Sequence, residues 1–216
     1  MPTTALRIPA FPALQEDALQ KVFANSVVKT FPKNTVIINE GERTSSVYLI
    51  RSGRVKVFLV SEDGKRVDIN VLEPGDFFGE MVLDQGPRSA SVVTLTPSQL
   101  SIIPQSVFKE FLTRNPDFAM RVILKLVLRT RGLLQNIKSL ALLDVYGRVA
   151  RVLLELAILE DSKLVIREKL SAQDISFRIG ASREAVSRIL KDLTRDGYIQ
   201  SEGRRMTIIK HLPAHR

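Results

Sequence analysis

The chain has 216 residues, 44% of them hydrophobic and 25% charged, and this balance predicts a globular protein of one or two domains. It contains no cysteine, which excludes disulfides, iron–sulfur clusters, cysteine-ligated haem and cysteine zinc sites. The two histidines, His211 and His215, both lie in the C-terminal tail and cannot supply a clustered site. We therefore expect neither an enzyme nor a bound metal, haem or iron–sulfur cluster.

The excess positive charge, a net +9, lies in the second half of the chain. Residues 1–112 carry 12 basic and 12 acidic side chains, residues 113–142 carry 6 and 1, and residues 143–216 carry 14 and 10. This distribution is typical of a sensing part joined to a part that binds a polyanion. A solvated basic surface explains the charge equally well.

No run approaches the ~20 apolar residues that span a bilayer, and the N-terminus lacks the pattern of a secretion signal. The sequence thus predicts a cytoplasmic protein with no membrane partner.

Short β-branched runs separated by turn residues fill the region from Val27 to about Ile103. Asp63-Gly64 stands between two of them and is a strong hairpin signal. Many short strands at regular spacing predict a small barrel or sandwich. The predicted strands include residues 36–38, 47–50, 55–60, 67–72, 91–94 and 100–103.

A long helix is predicted from Asn115 onward, because apolar residues then recur at helical spacing. One stripe packed on the barrel and the other on an identical helix would make a homodimer. A single helix buried on two faces is the alternative. A second helix is predicted from Val145 to about Leu159. The first stripe is Ala119, Ile123, Leu126, Thr130, Leu133, Ile137 and Leu140, and the second contains Leu124, Val127, Leu128 and Leu134.

Residues 171–190 have the pattern of a helix-turn-helix. Ser171 and Ser182 can each cap a helix, and Gly180 supplies a turn residue that tolerates positive φ. Arginine can bond guanine and glutamate can accept from cytosine in the major groove. A helical hairpin with a solvated charged face is the alternative. The outer face of the second helix would present Arg183, Glu184, Ser187, Arg188 and Lys191.

A β-hairpin with a basic tip follows, which makes the predicted motif a winged helix. Arg204 and Arg205 at this tip are candidates for phosphate contact, although an exposed turn also carries arginine for solubility.

The stretch from Phe78 to Ser91 has the features of a phosphate-binding cassette. Gly79 allows close backbone approach, and a short helix starting near Glu80 offers unpaired N–H groups to an anion. Arg88 supplies a cationic fork, Ser89 a hydroxyl, and Glu80 an acceptor for a ribose 2′-OH. A surface loop with one arginine is the alternative.

From about Leu14 to Lys210 this arrangement resembles the Crp/Fnr superfamily of bacterial transcription regulators. The resemblance implies an α+β fold. Its parts are an N-terminal double-stranded β-helix (jelly-roll) cyclic-nucleotide-binding domain at 1–114, a long dimerisation helix at 115–142, and a C-terminal winged helix-turn-helix at 143–216. It also implies a ligand-responsive homodimeric regulator that binds twofold-symmetric double-stranded DNA and contacts RNA polymerase.

The resemblance implies base contacts by Arg183, Glu184 and Arg188 in a TGTGA-like half-site. Ser171 and Ser182, with their helix N-termini, can hold phosphates. In the sensor, Leu133 and Leu134 stand where the family's activator has a Thr-Ser pair facing the purine. Cyclic AMP is the default effector, while cyclic GMP, cyclic di-GMP and ligand independence stay open. A cyclic-nucleotide-binding regulatory subunit of an enzyme is the alternative from another class. The implied ligand residues are Gly79, Glu80, Met81, Arg88, Ser89, Thr130, Leu133 and Leu134.

Overall fold

The computed structural model describes residues 26–167, 170–203 and 205–212. These residues form two compact units. The sensor unit contains residues 26–60 and 69–130, and the C-terminal unit contains residues 61–68 and the described residues from 131 onward. Among the described helices, none is long and apolar enough to cross a membrane.

Two antiparallel four-stranded sheets build the predicted jelly roll. The runs of β-branched residues form these strands, and the Asp63-Gly64 turn joins β4 to β5 as predicted. The first sheet, in the order β1-β8-β3-β6, contains β1 (Val27–Phe31), β3 (Ser46–Ser52), β6 (Phe77–Phe78) and β8 (Ser98–Pro104). The second, in the order β2-β7-β4-β5, contains β2 (Val36–Ile38), β4 (Val55–Val60), β5 (Arg66–Leu72) and β7 (Ser91–Thr94).

The apolar core of the sensor unit forms where alternate strand residues point inward. Part of this core lies under helix α1 (Gln105–Arg114), which packs Phe108 and Phe111 against Val47 and Phe77. A 3-10 helix at Glu80–Asp84 follows β6, at the position where the sequence predicts a short helix.

The predicted long helix is α2 (Pro116–Leu142). Its Val122 is buried, and Phe118 and Leu126 pack against the sensor core. The first predicted stripe steps by four and three residues from Ala119 to Leu140, which predicts a seam against an identical helix. This prediction is wrong at Leu126, because Leu126 packs against the core of its own sensor unit. Large apolar side chains on other faces are exposed, and these are Met120, Ile123, Leu124, Val127, Leu133, Leu134, Ile137, Leu140 and Leu142.

The C-terminal unit begins with helix α3 (Val145–Leu156), whose Asp144 cap accepts a 2.7 Å hydrogen bond from the Gly147 amide. The prediction that this helix runs to about Leu159 is wrong. The chain instead turns into a hairpin of β9 (Ile158–Glu160) and β10 (Lys163–Ile166). Asp161 and Ser162 form its tight turn, both with positive φ.

The helix-turn-helix consists of α4 (Ala172–Ile179) and α5 (Arg183–Arg195). Gly180 ends α4 with a φ of 61°, as the turn requires. The wing strands β11 (Ile199–Glu202) and β12 (Arg205–Ile208) complete a sheet in the order β11-β12-β10-β9. Val149, Leu153, Ile175, Val186 and Leu193 are the centre of this unit's apolar core.

Candidate ligand site and DNA-binding surface

Gly79 and Arg88 of the predicted cassette are hydrogen-bonded to each other. The guanidinium of Arg88 donates to the Gly79 carbonyl at 2.8 Å, to the Ser46 carbonyl at 2.6 Å and to the Thr44 hydroxyl at 2.7 Å. Arg88 is only 6% exposed, and this burial lowers its pKa, although Tyr48 and Glu80 oppose the shift. These three bonds occupy three of the five N–H donors of the guanidinium.

Position 79 requires glycine, because Arg88 and the backbone fill the space that a side chain would occupy. Its φ is +80°, and a Cβ there would lie 2.7 Å from Nη1 of Arg88 and 3.0 Å from the Ser46 carbonyl. In the structure the group that approaches Gly79 is Arg88, and the close approach of this backbone to a ligand stays a prediction.

Glu80 forms an ion pair with Arg129 of helix α2, at 2.8 Å. Arg129 also donates to the Phe77 carbonyl at 2.5 Å and lies 4.8 Å above the Phe77 ring. Its Nε is buried and makes no hydrogen bond with any described residue. Helix α2 therefore contributes a cation, Arg129, to the cassette from a position 49 residues after Glu80 in sequence.

The other predicted ligand residues lie on two elements. The Ser89 hydroxyl, which is exposed, contacts the Met81 sulfur at 2.9 Å. On α2 the Thr130 hydroxyl donates to the Leu126 carbonyl at 3.0 Å. Leu133 and Leu134, further along α2, are 43% and 58% exposed. These two side chains offer only apolar surface.

Both predicted helix caps in the helix-turn-helix are confirmed. Ser171 and Asp174 form a reciprocal capping box at the start of α4. The Ser182 hydroxyl accepts from the Ala185 amide at 3.2 Å at the start of α5. Each of these hydroxyls accepts from one backbone amide of the first helical turn and leaves other amides of that turn available to an anion.

The exposed face of α5 from Arg183 to Lys191 presents unpaired charge. Arg183, Glu184, Arg188 and Lys191 are exposed, and none forms a side-chain hydrogen bond or ion pair with another described residue, whereas Ser187 is half-buried. Arg195 at the end of the helix is different, since its guanidinium pairs with Asp192 at 3.1 Å and Asp196 at 2.9 Å. The free cations and the one free carboxylate thus lie on a single exposed surface.

One of the two predicted wing arginines forms an ion pair with β9. Arg205 pairs with Glu160 of β9 at 3.0 Å. Arg167 pairs with the other oxygen of the same carboxylate. Arg204 lies outside the described residues.

Comparison with known proteins supports both halves of the assignment. The model of the cyclic nucleotide-binding domain matches residues 28–115, and the model of the Crp-like helix-turn-helix domain matches residues 147–214. The cAMP-activated global transcriptional regulator CRP of Pasteurella multocida is 31% identical over 198 residues, covering 89% of this chain and 95% of the relative. The chain belongs to the Crp family of transcription regulators. Its family relatives are regulators, not enzymes.

A second relative of this Crp-family protein is the CRP-like cAMP-activated global transcriptional regulator of Mycobacterium tuberculosis. It is 32% identical over 183 residues, which is 82% of each chain. Among solved structures, the c-di-GMP responsive regulator CLP of Xanthomonas campestris has a TM-score of 0.80 at 22% identity, covering 90% of this chain and 99% of that one. A CooA mutant from Carboxydothermus hydrogenoformans has a TM-score of 0.76 at 22% identity, covering 88% and 86%. These two structures support the fold.

The anchors of the cassette were not among the residues predicted for the site. Thr44 and Ser46, which hold Arg88, lie 44 and 42 residues before it in sequence. No local pattern joins such distant residues. The pairing of β3 with β6, and the backbone hydrogen bonds of Arg88 with Gly41 and Glu42, bring them beside the cassette.

Proposed function

We propose that this Crp-family protein is a homodimeric regulator whose affinity for twofold-symmetric DNA is set by cyclic AMP bound at the cassette. In this proposal residues 1–114 bind the ligand, residues 115–142 form the dimer, and residues 143–216 bind DNA. RNA polymerase is the proposed partner of the DNA-bound dimer.

The buried guanidinium of Arg88 beside Gly79 is the observation that carries the ligand proposal. A cation is costly to bury, and Arg88 keeps two N–H donors beyond its three protein bonds. A cyclic phosphate would satisfy these donors bidentately. The buried, unbonded Nε of Arg129 is a further donor beside Glu80. The residues present therefore fit an anionic ligand that also carries a ribose hydroxyl.

Cyclic AMP is proposed over other cyclic nucleotides because relatives that align with 89% and 82% of this chain are named as cAMP-activated. Leu133 and Leu134 would contribute van der Waals contact but no hydrogen bond to a purine. We therefore expect weaker discrimination between adenine and guanine than a hydroxyl-lined site would give, since hydrogen-bonded sites reject analogues most strongly.

The DNA proposal rests on the unpaired charges of α5. Arg183, Glu184 and Arg188 supply the donor and acceptor types that distinguish G·C pairs in the major groove. The capped N-termini at Ser171 and Ser182 would hold phosphates beside them.

The dimer proposal rests on the exposed apolar surface of α2. Such a surface is unusual on a monomer and marks an interaction site. Gly132 lies on the same helix, and a Cβ there would meet nothing within 4 Å in its own chain. A second copy of α2 would cover the apolar residues.

Calorimetric titration with cyclic AMP, cyclic GMP and cyclic di-GMP tests the effector, and DNA affinity with and without each nucleotide tests the gating. We expect cyclic AMP to bind the wild type and to raise its DNA affinity, and Arg88→Leu to lose both effects. Arg43→Leu is the matched control, because it removes the same charge from an exposed position.

Three results would contradict parts of this proposal. Binding of cyclic di-GMP alone would overturn the effector. DNA affinity that ignores every nucleotide would overturn the gating and leave a ligand-independent DNA-binding protein. Equal loss of binding in Arg43→Leu would show that the effect of Arg88 is one of net charge.

A further inference from the structure

Two ion pairs join helix α2 to the segment of chain that leads into the cassette. Lys125 pairs with Asp76, and Arg129 pairs with Glu80 at 2.8 Å. The two cations are four residues apart on one face of the helix, and the two carboxylates are also four residues apart. Lys125 is 5% exposed, so this ammonium is among the few buried charges of the described residues.

Phe77 lies between the two pairs. Its ring centroid is 5.8 Å from Nζ of Lys125 and 4.8 Å from Cζ of Arg129, distances typical of cation–π contacts. Its carbonyl accepts the 2.5 Å hydrogen bond from Arg129. The segment 76–80 is therefore attached to α2 through both side chains and main chain.

Asp76 connects Lys125 to the barrel. Its second carboxylate oxygen accepts from the Glu73 amide at 2.9 Å, and its carbonyl accepts from the Ile50 amide at 2.9 Å. Because Asp76 is fixed on three sides, its ion pair determines where this turn of α2 lies against the segment. Arg129, one turn later, then meets Glu80.

We propose that Lys125 is a positioning residue for the nucleotide site, because its ion pair with Asp76 holds segment 76–80 and the Arg129 turn of α2 in register, so that Glu80 is presented to the ligand. The role in nucleotide affinity rests on the proposed function. The effect on segment 76–80 does not, because it is a property of the ligand-free protein.

The protonation of Lys125 gives this device a measurable signature. Burial, together with the nearby charge of Arg129, lowers the pKa of Lys125 from 10.5 to about 8. The Asp76 carboxylate opposes this shift by favouring the charged ammonium, and Glu80 is engaged by Arg129. The Phe77 ring face also favours the cation. Deprotonation above about pH 8 removes the ion pair with Asp76.

The experiment compares Lys125→Met with Lys138→Met in the full chain. Both variants remove one lysine charge from α2, but Lys138 is exposed. Amide hydrogen exchange is measured over residues 76–80 without ligand, and cyclic AMP affinity is measured at about pH 7 and about pH 9.5. Asp76→Asn and the double variant complete a thermodynamic cycle.

We expect faster exchange in segment 76–80 and about tenfold weaker cyclic AMP binding for Lys125→Met at neutral pH, with Lys138→Met unchanged. The wild type should lose affinity at the higher pH, whereas Lys125→Met should not. Asp76→Asn should weaken binding similarly, and the double variant should add little.

The proposal would be overturned if amide exchange over residues 76–80 were the same in Lys125→Met as in wild type. It would also be overturned if Lys125→Met bound cyclic AMP as tightly as wild type does. A wild type that binds no cyclic nucleotide would contradict the proposed function instead. In that case the hydrogen exchange of the ligand-free protein still decides whether Lys125 positions segment 76–80.

Discussion

The carbonyl of Gly79 accepts a 2.8 Å hydrogen bond from the Arg88 guanidinium, across nine residues of the cassette. This bond closes the loop around the 3-10 helix at Glu80–Asp84 and fixes the orientation of Arg88. A cation held in this way has already lost its rotamer entropy, so an anion that binds it does not bear that cost again. The same bond links the backbone of Gly79 to the charge of Arg88.

Gly79→Ala should disrupt this relationship. The added Cβ would lie 2.7 Å from Nη1 of Arg88 in a backbone conformation with φ +80°, so both strain and a clash result. We expect a loss of roughly 1–3 kcal/mol in the free energy of unfolding and loss of cyclic nucleotide binding. Gly64→Ala is the control, since its φ is +77° but its Cβ meets nothing within 4 Å. If both variants bind ligand equally well, the contact with Arg88 is not what Gly79 provides.

Arg188→Ala should weaken binding to a TGTGA-type palindrome by about 1–3 kcal/mol while changing binding to a shuffled duplex little, because a base contact discriminates and a phosphate contact does not. Arg195→Ala is the matched control on the same helix, because Asp192 and Asp196 already pair with that arginine. Fluorescence anisotropy at fixed salt measures both. Equal losses of Arg188→Ala on the two duplexes would contradict base recognition.

Glu160→Gln should strengthen binding to both duplexes. The carboxylate of Glu160 engages Arg205 and Arg167, and its removal would free two cations beside the wing. We expect the slope of log affinity against log salt to steepen by up to about one per freed arginine that reaches a phosphate. Glu110→Gln, which frees Arg114 in the sensor unit, should change nothing. A salt slope equal to that of wild type would mean that neither arginine approaches DNA.

The helix-turn-helix could be predicted from sequence because its determinants are local. Ser171, Gly180 and Ser182 each act on residues close by in sequence, and each lies where the pattern indicates. The β9–β10 hairpin was missed because its strands have only three and four residues, too few for an alternating pattern to show.

The sensor site was predicted only in part, for a different reason. The cassette is one continuous stretch, but the distant partners of Arg88 and Glu80 are 42 to 49 residues away, at Thr44, at Ser46 of β3 and at Arg129 of α2. Lys125 was placed in no stripe, since a buried lysine has no apolar periodicity. Periodicity likewise identifies the apolar faces of α2 without showing which face packs on the sensor core. Leu126 was therefore assigned to the wrong face.

Ile137→Asp should convert the proposed dimer to a folded monomer. Ile137 is 61% exposed in the single chain, so a charge there costs the monomer little but would be buried unpaired between two copies. Analytical ultracentrifugation measures the change, and circular dichroism checks the fold. Gln135→Asp adds the same charge on the opposite side of α2 and should remain dimeric. Leu126→Asp is unsuitable because it would disrupt the sensor core. Undiminished dimerisation of Ile137→Asp would remove this part of α2 from the interface.

The free energy of unfolding should rise with pH between about 8 and 10.5 through Lys125. Below this window the lysine is protonated in both folded and unfolded chains. Within it the unfolded chain still binds the proton while the folded chain does not, so stability increases with pH. Tyr48 acts in the opposite direction near pH 10, because burial raises its pKa above the usual 10.0 and the folded chain keeps the phenol proton longer than the unfolded chain does. This contribution is the same in wild type and Lys125→Met and cancels when the two are compared. Urea denaturation at about pH 7.5, 8.5 and 9.5 gives the free energy of unfolding at each pH. This free energy should rise more steeply with pH in wild type than in Lys125→Met, since the other lysines contribute equally to both. Parallel slopes would mean that the buried ammonium keeps its ordinary pKa, held there by Asp76.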